Sequence, residues 1–205
     1  MKQFEVTPIF PTIIGSFFLE DGMENHYKKI VENNSFKQTS FGGGCQVSLR
    51  YDVLDEFKII KEQIESGFTE FKNSVLRLED TQFKMTTSWV TRTPPNCGSQ
   101  RHSHKNSYYS GVLYLTDHSD QSPILLYNPN DNNTNILTNP AKEYTVLNSK
   151  TWTIHPEKNK VILFPSYIDH MILRNVSSDD RYSIAFNFFP SGKIGTDDSQ
   201  IEFVL

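Results

Sequence analysis

The chain has 205 residues and a formal net charge of −4, from 24 acidic and 20 basic side chains. This charge argues against a nucleic-acid binder that relies on a basic surface, and the aromatic content of 13% favours a packed β-rich core over disorder. The length suits one domain, which we predict over residues 1–205 as an N-terminal part, 1–80, and a core, 81–205.

The N-terminal stretch KQFEVTPIFPTIIGSFFL is apolar in places but lacks the pattern of a signal peptide. Glu5 lies where a basic segment would be required, and Pro8 and Pro11 interrupt the apolar run. The stretch is far short of the ~20 consecutive apolar residues of a membrane span, so we predict an edge strand and no membrane partner. Cys45 and Cys97 form neither a CxxC pair nor a disulfide framework, which indicates free thiols and a cytoplasmic protein.

Helical patterns occupy the rest of the first third. Residues 22–33 are predicted to form a short helix, and the glycine triplet at 42–44 then indicates a flexible or tight loop. Residues 53–77 carry apolar side chains at three- and four-residue spacing, which predicts an amphipathic helix with Gly67 as a weak point. Its apolar face consists of Phe57, Ile60, Ile64, Phe68, Phe71 and Val75.

After residue 80 the pattern changes to short segments rich in β-branched and aromatic residues and bounded by turn formers. Eight segments are predicted as strands: QFKMTTSWVTRT, SYYSGVLYLTD, SPILLYN, EYTVL, KTWTIHP, NKVILFPS, HMILRNV and RYSIAFNFF. The polar stretch 128–142 is predicted as a long loop, either a lid over a site or a slack surface insertion. The fold class is mainly β with α, a jelly roll or small barrel backed by the N-terminal helices.

Three histidines form the first candidate site. His102 and His104 stand one residue apart, and in an extended segment their side chains project from the same face, about 6–7 Å apart at Cα. Two such imidazoles can converge on one metal ion, although an isolated pair more often faces solvent. His170, at the end of FPSYIDH, is the candidate third ligand.

The last predicted strand, RYSIAFNFF, has one uniformly apolar face that belongs in a core. The other face begins with a guanidinium and a hydroxyl and then becomes small. It consists of Arg181, Ser183, Ala185 and Asn187. Such a face is typical of a strand that crosses a pocket and holds an anion near one end. The competing interpretation of Arg181 is a surface salt bridge with Asp179 or Asp180.

Five short blocks follow one another along the chain: HSH at 102–104, SGVLYL at 110–115, FPSYIDH at 164–170, RYS at 181–183 and FN at 186–187. As an ordered set they resemble the iron(II)- and 2-oxoglutarate-dependent oxygenases, and in detail a small subgroup common in phage and bacterial genomes. The early PIFPT and GGGCQ segments also resemble that subgroup. The resemblance implies a double-stranded β-helix of the jelly-roll or cupin-like type. If the chain is viral, the protein is expected in the host cytoplasm.

The resemblance also implies Fe(II) and 2-oxoglutarate as cofactors, dioxygen as a further reactant, and hydroxylation of an unidentified substrate with release of succinate and carbon dioxide. The family's metal positions match His102, His104 and His170. Its cosubstrate positions match Arg181, which would bind the distal carboxylate, and Ser183 as a hydroxyl helper. Tyr114, with Tyr109 and Tyr127, is a candidate for lining the same pocket, although strand aromatics are more often packing.

The pattern departs from the family at one ligand. Such sites usually have two histidines and one carboxylate, whereas His104 stands at the carboxylate position. The dianionic cosubstrate could compensate the extra positive charge, or the site could prefer zinc, copper or nickel. Asp169 ranks below His104 as a ligand, because it directly precedes His170 and in an extended segment points to the opposite face. Asp117 and Asp120 are predicted turn residues.

Two other functions stay open. One is a cosubstrate-independent dioxygenase with three histidines, as in cupin-type sites, and the other is a non-catalytic jelly-roll module for binding or virion association. Metal-loaded protein that does not bind 2-oxoglutarate would favour the first function. Protein that holds no metal would favour the second. The substrate is predicted only as a small molecule or a protein side chain, and no pattern indicates an oligomeric state.

Overall fold

The computed structural model describes residues 5–78, 81–116, 122–130 and 141–205. Within these ranges the chain forms two α-helices and two antiparallel β-sheets. The helices are α1, Glu24–Glu32, and α2, Lys58–Phe71. Shorter helical turns occur at Val53–Asp55, Lys72–Leu76 and Asp197–Ser199.

The described ranges contain eleven strands. In chain order they are β1 Gly15–Phe18, β2 Phe36–Gln38, β3 Gln46–Ser48, β4 Gln82–Thr93, β5 Tyr109–Tyr114, β6 Ile124–Tyr127, β7 Thr151–Ile154, β8 Lys160–Pro165, β9 His170–Ile172, β10 Arg181–Ile194 and β11 Ile201–Phe203. The larger sheet has the order β1-β8-β5-β10-β4-β3-β2, with β11 paired to β10, and the smaller has the order β7-β6-β9. This architecture confirms the predicted double-stranded β-helix.

Two apolar clusters hold these layers together. The larger cluster lies between the helices and the larger sheet, where the Phe68 ring of α2 stacks on Phe188 of β10 with 4.1 Å between centroids. Full burial of a side chain of this size contributes about 1.5–3 kcal/mol. The smaller cluster joins the sheets and contains Tyr114, Ile124, Leu126, Ile162, Phe164 and Ile168. The cavity described below therefore has a packed layer behind it.

The long amphipathic helix is confirmed, with two corrections. Val75 is 54% exposed, because the chain widens into a π turn at Lys72–Leu76 and the last residues leave the apolar stripe. Gly67, the predicted weak point, lies inside the continuous helix α2, and the helix is shorter than the predicted range 53–77. A Cβ at Gly67 would lie 2.3 Å from the ring of Phe17, so the glycine allows β1 to approach α2 closely.

The predicted strand EYTVL is wrong. The amide N–H of Thr145 donates to the side-chain oxygen of Asn148 at 2.7 Å, and Asn148 Nδ2 donates to the Glu143 carbonyl at 3.0 Å. These local bonds hold the segment as a turn, with Val146 and Leu147 exposed. The remaining seven predicted segments each contain a strand, while β2, β3 and β11 are too short to show a period.

Some predictions fall on parts of the chain that the structure leaves out. Most of the predicted loop 128–142, namely 131–140, lies outside the described residues, as do Asp117, His118 and Asp120. The predicted edge strand is confirmed only over Gly15–Phe18, as β1, which pairs with β8 at one end of the larger sheet; residues 5–14 form no strand. Among the described residues, neither helix is long and apolar enough to cross a membrane.

The glycine triplet forms a tight loop. All three glycines have positive φ angles, and a Cβ at Gly43 would lie 2.4 Å from the carbonyl oxygen of Gly98. The Gly98 N–H donates to the Gly43 carbonyl at 2.8 Å, and Gln100 N–H donates to the Phe41 carbonyl at 3.1 Å. The loop is thereby fastened to the segment that leads into His102.

Gly111 of β5 allows two close approaches inside the sheet. A Cβ at this position would lie 2.3 Å from the ring of Phe186 and 2.8 Å from the backbone oxygen of Ile162. Phe186 is fully buried, so its ring has nowhere to move. We expect Gly111→Ala to lower the free energy of unfolding by about 1–3 kcal/mol, measured by urea denaturation.

Gly67→Ala is the matched control for that experiment. Its obstructing neighbour, Phe17, is only half-buried and can turn away, and alanine gains about 1 kcal/mol of helix propensity over glycine. The loss of stability at Gly67 should therefore be the smaller of the two. Wild-type stability of Gly111→Ala would contradict the close packing of β5.

Candidate metal centre

Backbone pairing brings the three histidines together. His102 and His170 form an isolated antiparallel bridge, in which His102 N–H donates to His170 O at 2.9 Å and His170 N–H donates to His102 O at 2.8 Å. His104 N–H donates to Ser166 O at 3.0 Å. His102 and His104 therefore lie on an extended segment before β5 rather than within a strand.

The imidazole rings converge as the sequence predicted. One ring nitrogen from each of His102, His104 and His170 lies within 4.8 Å of the other two, a group that could hold a metal ion. The ring centroids are 5.6 Å apart for His102 and His104, and 4.5 and 5.0 Å from these to His170. Three nitrogen donors with room for further ligands suit iron, zinc, copper or nickel.

Hydrogen bonds orient all three rings in the same way. Each Nδ1 faces a carbonyl oxygen: His102 that of Gln100 at 2.8 Å, His104 the side-chain oxygen of Asn187 at 2.8 Å, and His170 that of Ile168 at 3.0 Å. A carbonyl oxygen can only accept, so Nδ1 of His102 and His170 carries the proton, and Nδ1 of His104 carries it with the amide oxygen of Asn187 facing the ring. The Nε2 lone pairs are then free to bind a metal, as in ligating histidines whose second nitrogen is hydrogen-bonded.

Burial keeps the three imidazoles neutral. Removal from water lowers the pKa of His102, lowers the pKa of His104 to about 4 and lowers the pKa of His170 to about 3. The two other imidazoles lower the pKa of His170 further, whereas the hydrogen bond from Asn187 opposes the shift at His104. Neutral imidazole is the protonation state that binds metal, so the group is ready to ligate at neutral pH.

The second-ranked ligand, Asp169, is not part of this group. Its carboxylate accepts from Arg101 Nε at 2.9 Å and forms an ion pair with the same guanidinium. Arg101 in turn lies over the ring of Tyr127, 4.0 Å from its centroid. Arg101 and Tyr127 therefore have structural partners, and the ranking of His104 above Asp169 agrees with the geometry.

The three candidate metal ligands and the three main candidate cosubstrate contacts line one cavity of about 880 Å³. They are His102, His104, His170, Arg181, Ser183 and Tyr114. The predicted pocket face of β10 is confirmed, since Ala185 and Asn187 also line the cavity, whereas Ile184 and Phe186 lie in the apolar core. The volume lies in the range of pockets that bind drug-sized ligands.

Arg181 is a buried cation in the cavity wall, with 1% of its surface exposed. Its Nη1 donates to Ser122 O at 2.7 Å and its Nη2 to Ser183 Oγ at 2.9 Å. Its Nε has no partner within the described chain, and neither does the hydroxyl of Tyr114, whose ring centroid lies 5.2 Å from the guanidinium. Two donors in one cavity wall therefore lack an acceptor.

The surface salt bridge proposed as the alternative for Arg181 is wrong. Asp180 instead pairs with Arg92 at 2.7 Å, and no described carboxylate forms an ion pair with Arg181. Burial lowers the pKa of Arg181, although arginine stays charged in proteins. Because a buried charge without a counter-charge is costly, the site fits an anion such as a carboxylate.

Sequence reasoning missed several contacts around the histidines. The Phe41 ring stacks on His102 with 4.0 Å between centroids, and the Trp89 ring lies 5.5 Å from that of His104. Neither Phe41 nor Trp89 belongs to a motif. The glycine triplet next to Phe41 was the one sequence feature that indicated a tight loop at this position. Tyr109 was a pocket candidate, but it packs against Phe68 in the core.

Two antiparallel sheets that enclose three converging imidazoles and a buried guanidinium define a double-stranded β-helix protein with a candidate metal site. Residues 87–187 match the family described as "Putative 2OG-Fe(II) oxygenase". The matched segment is just under half of the chain, and the family that it resembles uses Fe(II) and 2-oxoglutarate. No curated protein matches the sequence.

Solved structures of 2OG oxygenases share this fold. A prolyl hydroxylase from Trichoplax adhaerens, in complex with a hypoxia inducible factor peptide fragment, is 18% identical over 86% of this chain and 83% of its own, with a TM-score of 0.61. A prolyl-4-hydroxylase from Pseudomonas putida is 14% identical over 86% and 92%, with a TM-score of 0.56. HygX from Streptomyces hygroscopicus, with nickel, 2-oxoglutarate and hygromycin B bound, is 11% identical over 87% and 83%, with a TM-score of 0.59.

Proposed function

We propose that the protein is an Fe(II)- and 2-oxoglutarate-dependent oxygenase that hydroxylates a small molecule or a protein side chain, with release of succinate and carbon dioxide. One observation carries the proposal: three imidazoles with free Nε2 atoms share a cavity with a buried guanidinium that lacks a counter-charge among the described residues. A metal and a small dianion satisfy both groups at once. The family match supports the same chemistry.

His102, His104 and His170 are the proposed iron ligands. Bound Fe(II) with 2-oxoglutarate supplies the activation of dioxygen, while the protein supplies ligation and orientation. Three neutral imidazoles leave the full positive charge of the metal in place, whereas the usual set of two histidines and one carboxylate removes one unit. The two negative charges of 2-oxoglutarate compensate for the missing carboxylate.

Arg181, Ser183 and Tyr114 are the proposed contacts of the distal carboxylate. Burial raises the pKa of Tyr114 to about 12, so its hydroxyl stays protonated and can donate a hydrogen bond. The hydroxyl of Tyr114 and the Nε of Arg181 are the two donors without acceptors, and a carboxylate can accept from both. Bonds between a guanidinium and a carboxylate are charge-assisted and of the stronger kind.

Part of the cavity wall is apolar. Val112, Ile124 and Ala185 line the cavity together with the histidines and Arg181. An apolar wall strengthens the electrostatic contacts of a bound anion, because fewer water molecules screen them. The remaining volume is available to the reacting part of the substrate.

The test uses protein loaded with Fe(II) under anaerobic conditions. Calorimetry should detect binding of 2-oxoglutarate that depends on the metal, and exposure to oxygen should then form succinate above the level of metal-free protein. Metal binding without 2-oxoglutarate binding would favour the cosubstrate-independent dioxygenase instead. Absence of metal binding would remove the catalytic proposal as a whole.

We further propose that residues 1–205 act as one domain in the cytoplasm, of the host if the chain is viral. Strands β1, β2 and β3 come from the first 80 residues and extend the sheet built by the rest, which supports a single unit. Cys45 and Cys97 are free thiols, as expected in a reducing compartment. Gel filtration with light scattering would report the oligomeric state.

A further inference from the structure

The third imidazole is held differently from the other two. His102 and His170 each face the main-chain carbonyl of the residue two positions earlier, so their orientation follows from the local backbone. His104 instead faces the side-chain oxygen of Asn187, a residue from β10. The hydroxyl of Ser110 lies 3.0 Å from the same ring nitrogen, so side chains of β5 and β10, and no described main-chain carbonyl, orient this ring.

Asn187 is itself fixed by neighbouring hydroxyl groups. Its Oδ1 accepts from Ser110 Oγ at 2.7 Å, and its Nδ2 donates to Thr87 Oγ1 at 2.9 Å. Ser110 Oγ also lies 2.8 Å from Ser166 Oγ. In this orientation the amide oxygen accepts from both His104 and Ser110, while the NH2 group donates to Thr87.

An irregularity in the sheet occurs at the same place. The register of β10 against β4 shifts between Asn187 and Phe188, so that Thr87 lies opposite Asn187 and Thr86 is the extra residue. Bulges of this kind re-aim side chains and are common beside active sites. Asn187 is 8% exposed, so solvent does not substitute for its contacts.

We propose that Asn187 is a positioning residue that fixes the Nδ1–H tautomer of His104 and so makes this neutral imidazole a metal ligand in place of a carboxylate. The inference rests on the metal site of the proposed function. Without the acceptor at Asn187, His104 can carry its proton on Nε2 or turn its ring, and in either case its lone pair no longer faces the metal. Loss of such a supporting residue typically weakens metal binding about 10–100-fold.

Two substitutions of Asn187 separate the acceptor from packing. Asn187→Leu keeps the approximate volume but removes the acceptor, and we expect it to weaken Co(II) binding to the full chain about 10–100-fold by calorimetry. Asn187→Asp keeps an acceptor for His104 and should bind Co(II) at least as well as the wild type. Asn34→Leu, at a half-buried asparagine that donates to Ile30 O beside α1, is the matched control and should stay near the wild-type affinity.

A second measurement detects the tautomer directly. In the metal-free wild-type protein, ¹⁵N chemical shifts of the His104 ring should report a proton on Nδ1, and this signature should change in Asn187→Leu. Visible spectra of the Co(II) protein should differ between the wild type and Asn187→Leu but not between the wild type and Asn34→Leu. A purely structural role of Asn187 would lower stability without moving these signals.

The outcomes distinguish this inference from the proposed function. Wild-type Co(II) affinity in a folded Asn187→Leu variant, or a proton on Nε2 of His104 in the wild type, overturns the inference and leaves the oxygenase proposal standing. Asn187→Asp that binds as weakly as Asn187→Leu overturns it as well. Metal binding without 2-oxoglutarate binding in the wild type removes the oxygenase proposal and leaves the role of Asn187 standing.

Discussion

Arg181→Leu is expected to weaken 2-oxoglutarate binding by roughly 30-fold or more while metal binding persists. The substitution removes a buried guanidinium that pairs with no described carboxylate, so the distal carboxylate of the cosubstrate would lose its charged partner. Truncation of one partner in a buried charge pair costs about 2–5 kcal/mol, or roughly 30-fold to several thousand-fold in affinity. Calorimetry on anaerobic protein, titrated first with Fe(II) and then with 2-oxoglutarate, measures both bindings.

The stability of this variant is a second readout. In the absence of ligand, a buried charge without a counter-charge lowers the free energy of unfolding. Its replacement by an apolar side chain is often neutral or stabilising. Arg181→Leu should therefore unfold in urea at or above the wild-type midpoint. Arg174→Leu, at an exposed arginine, serves as the control and should leave 2-oxoglutarate binding unchanged. Affinity of Arg181→Leu within threefold of the wild type would refute the assigned carboxylate site.

His102→Ala is expected to remove metal binding and, with it, metal-dependent binding of 2-oxoglutarate. A lost ligand should cost more than the about 100-fold that follows loss of a supporting residue. His102 suits this test better than His170, because it is less buried. Titration with Co(II) measures the effect.

His26→Ala is the control for that titration. His26 lies on α1, where its ring packs edge-on against Phe57, and it takes no part in the histidine group. Its removal should leave the metal affinity unchanged. If His102→Ala bound Co(II) as tightly as His26→Ala does, the three-histidine centre would be refuted.

The sequence predicted β4 and the two faces of β10 well, because strand alternation is a local property of two-residue period. The strand prediction failed at EYTVL, where β-branched and aromatic residues find no partner strand among the described residues. It also missed β2 and β3, since three-residue strands are too short to display a period. Strand composition therefore indicated which segments can pair, but not which of them do.

The sequence by itself determined the chemistry of the site: which residues carry imidazole, guanidinium and hydroxyl groups, and which strand face presents them. Only the tertiary structure decided how these groups are used. Two contacts join residues that are far apart in the chain: the bridge between His102 and His170, and the contact of Asn187 with His104. The lack of a counter-charge at Arg181 is likewise visible only in the folded chain. Such contacts follow from strand pairing and burial, which no local pattern encodes.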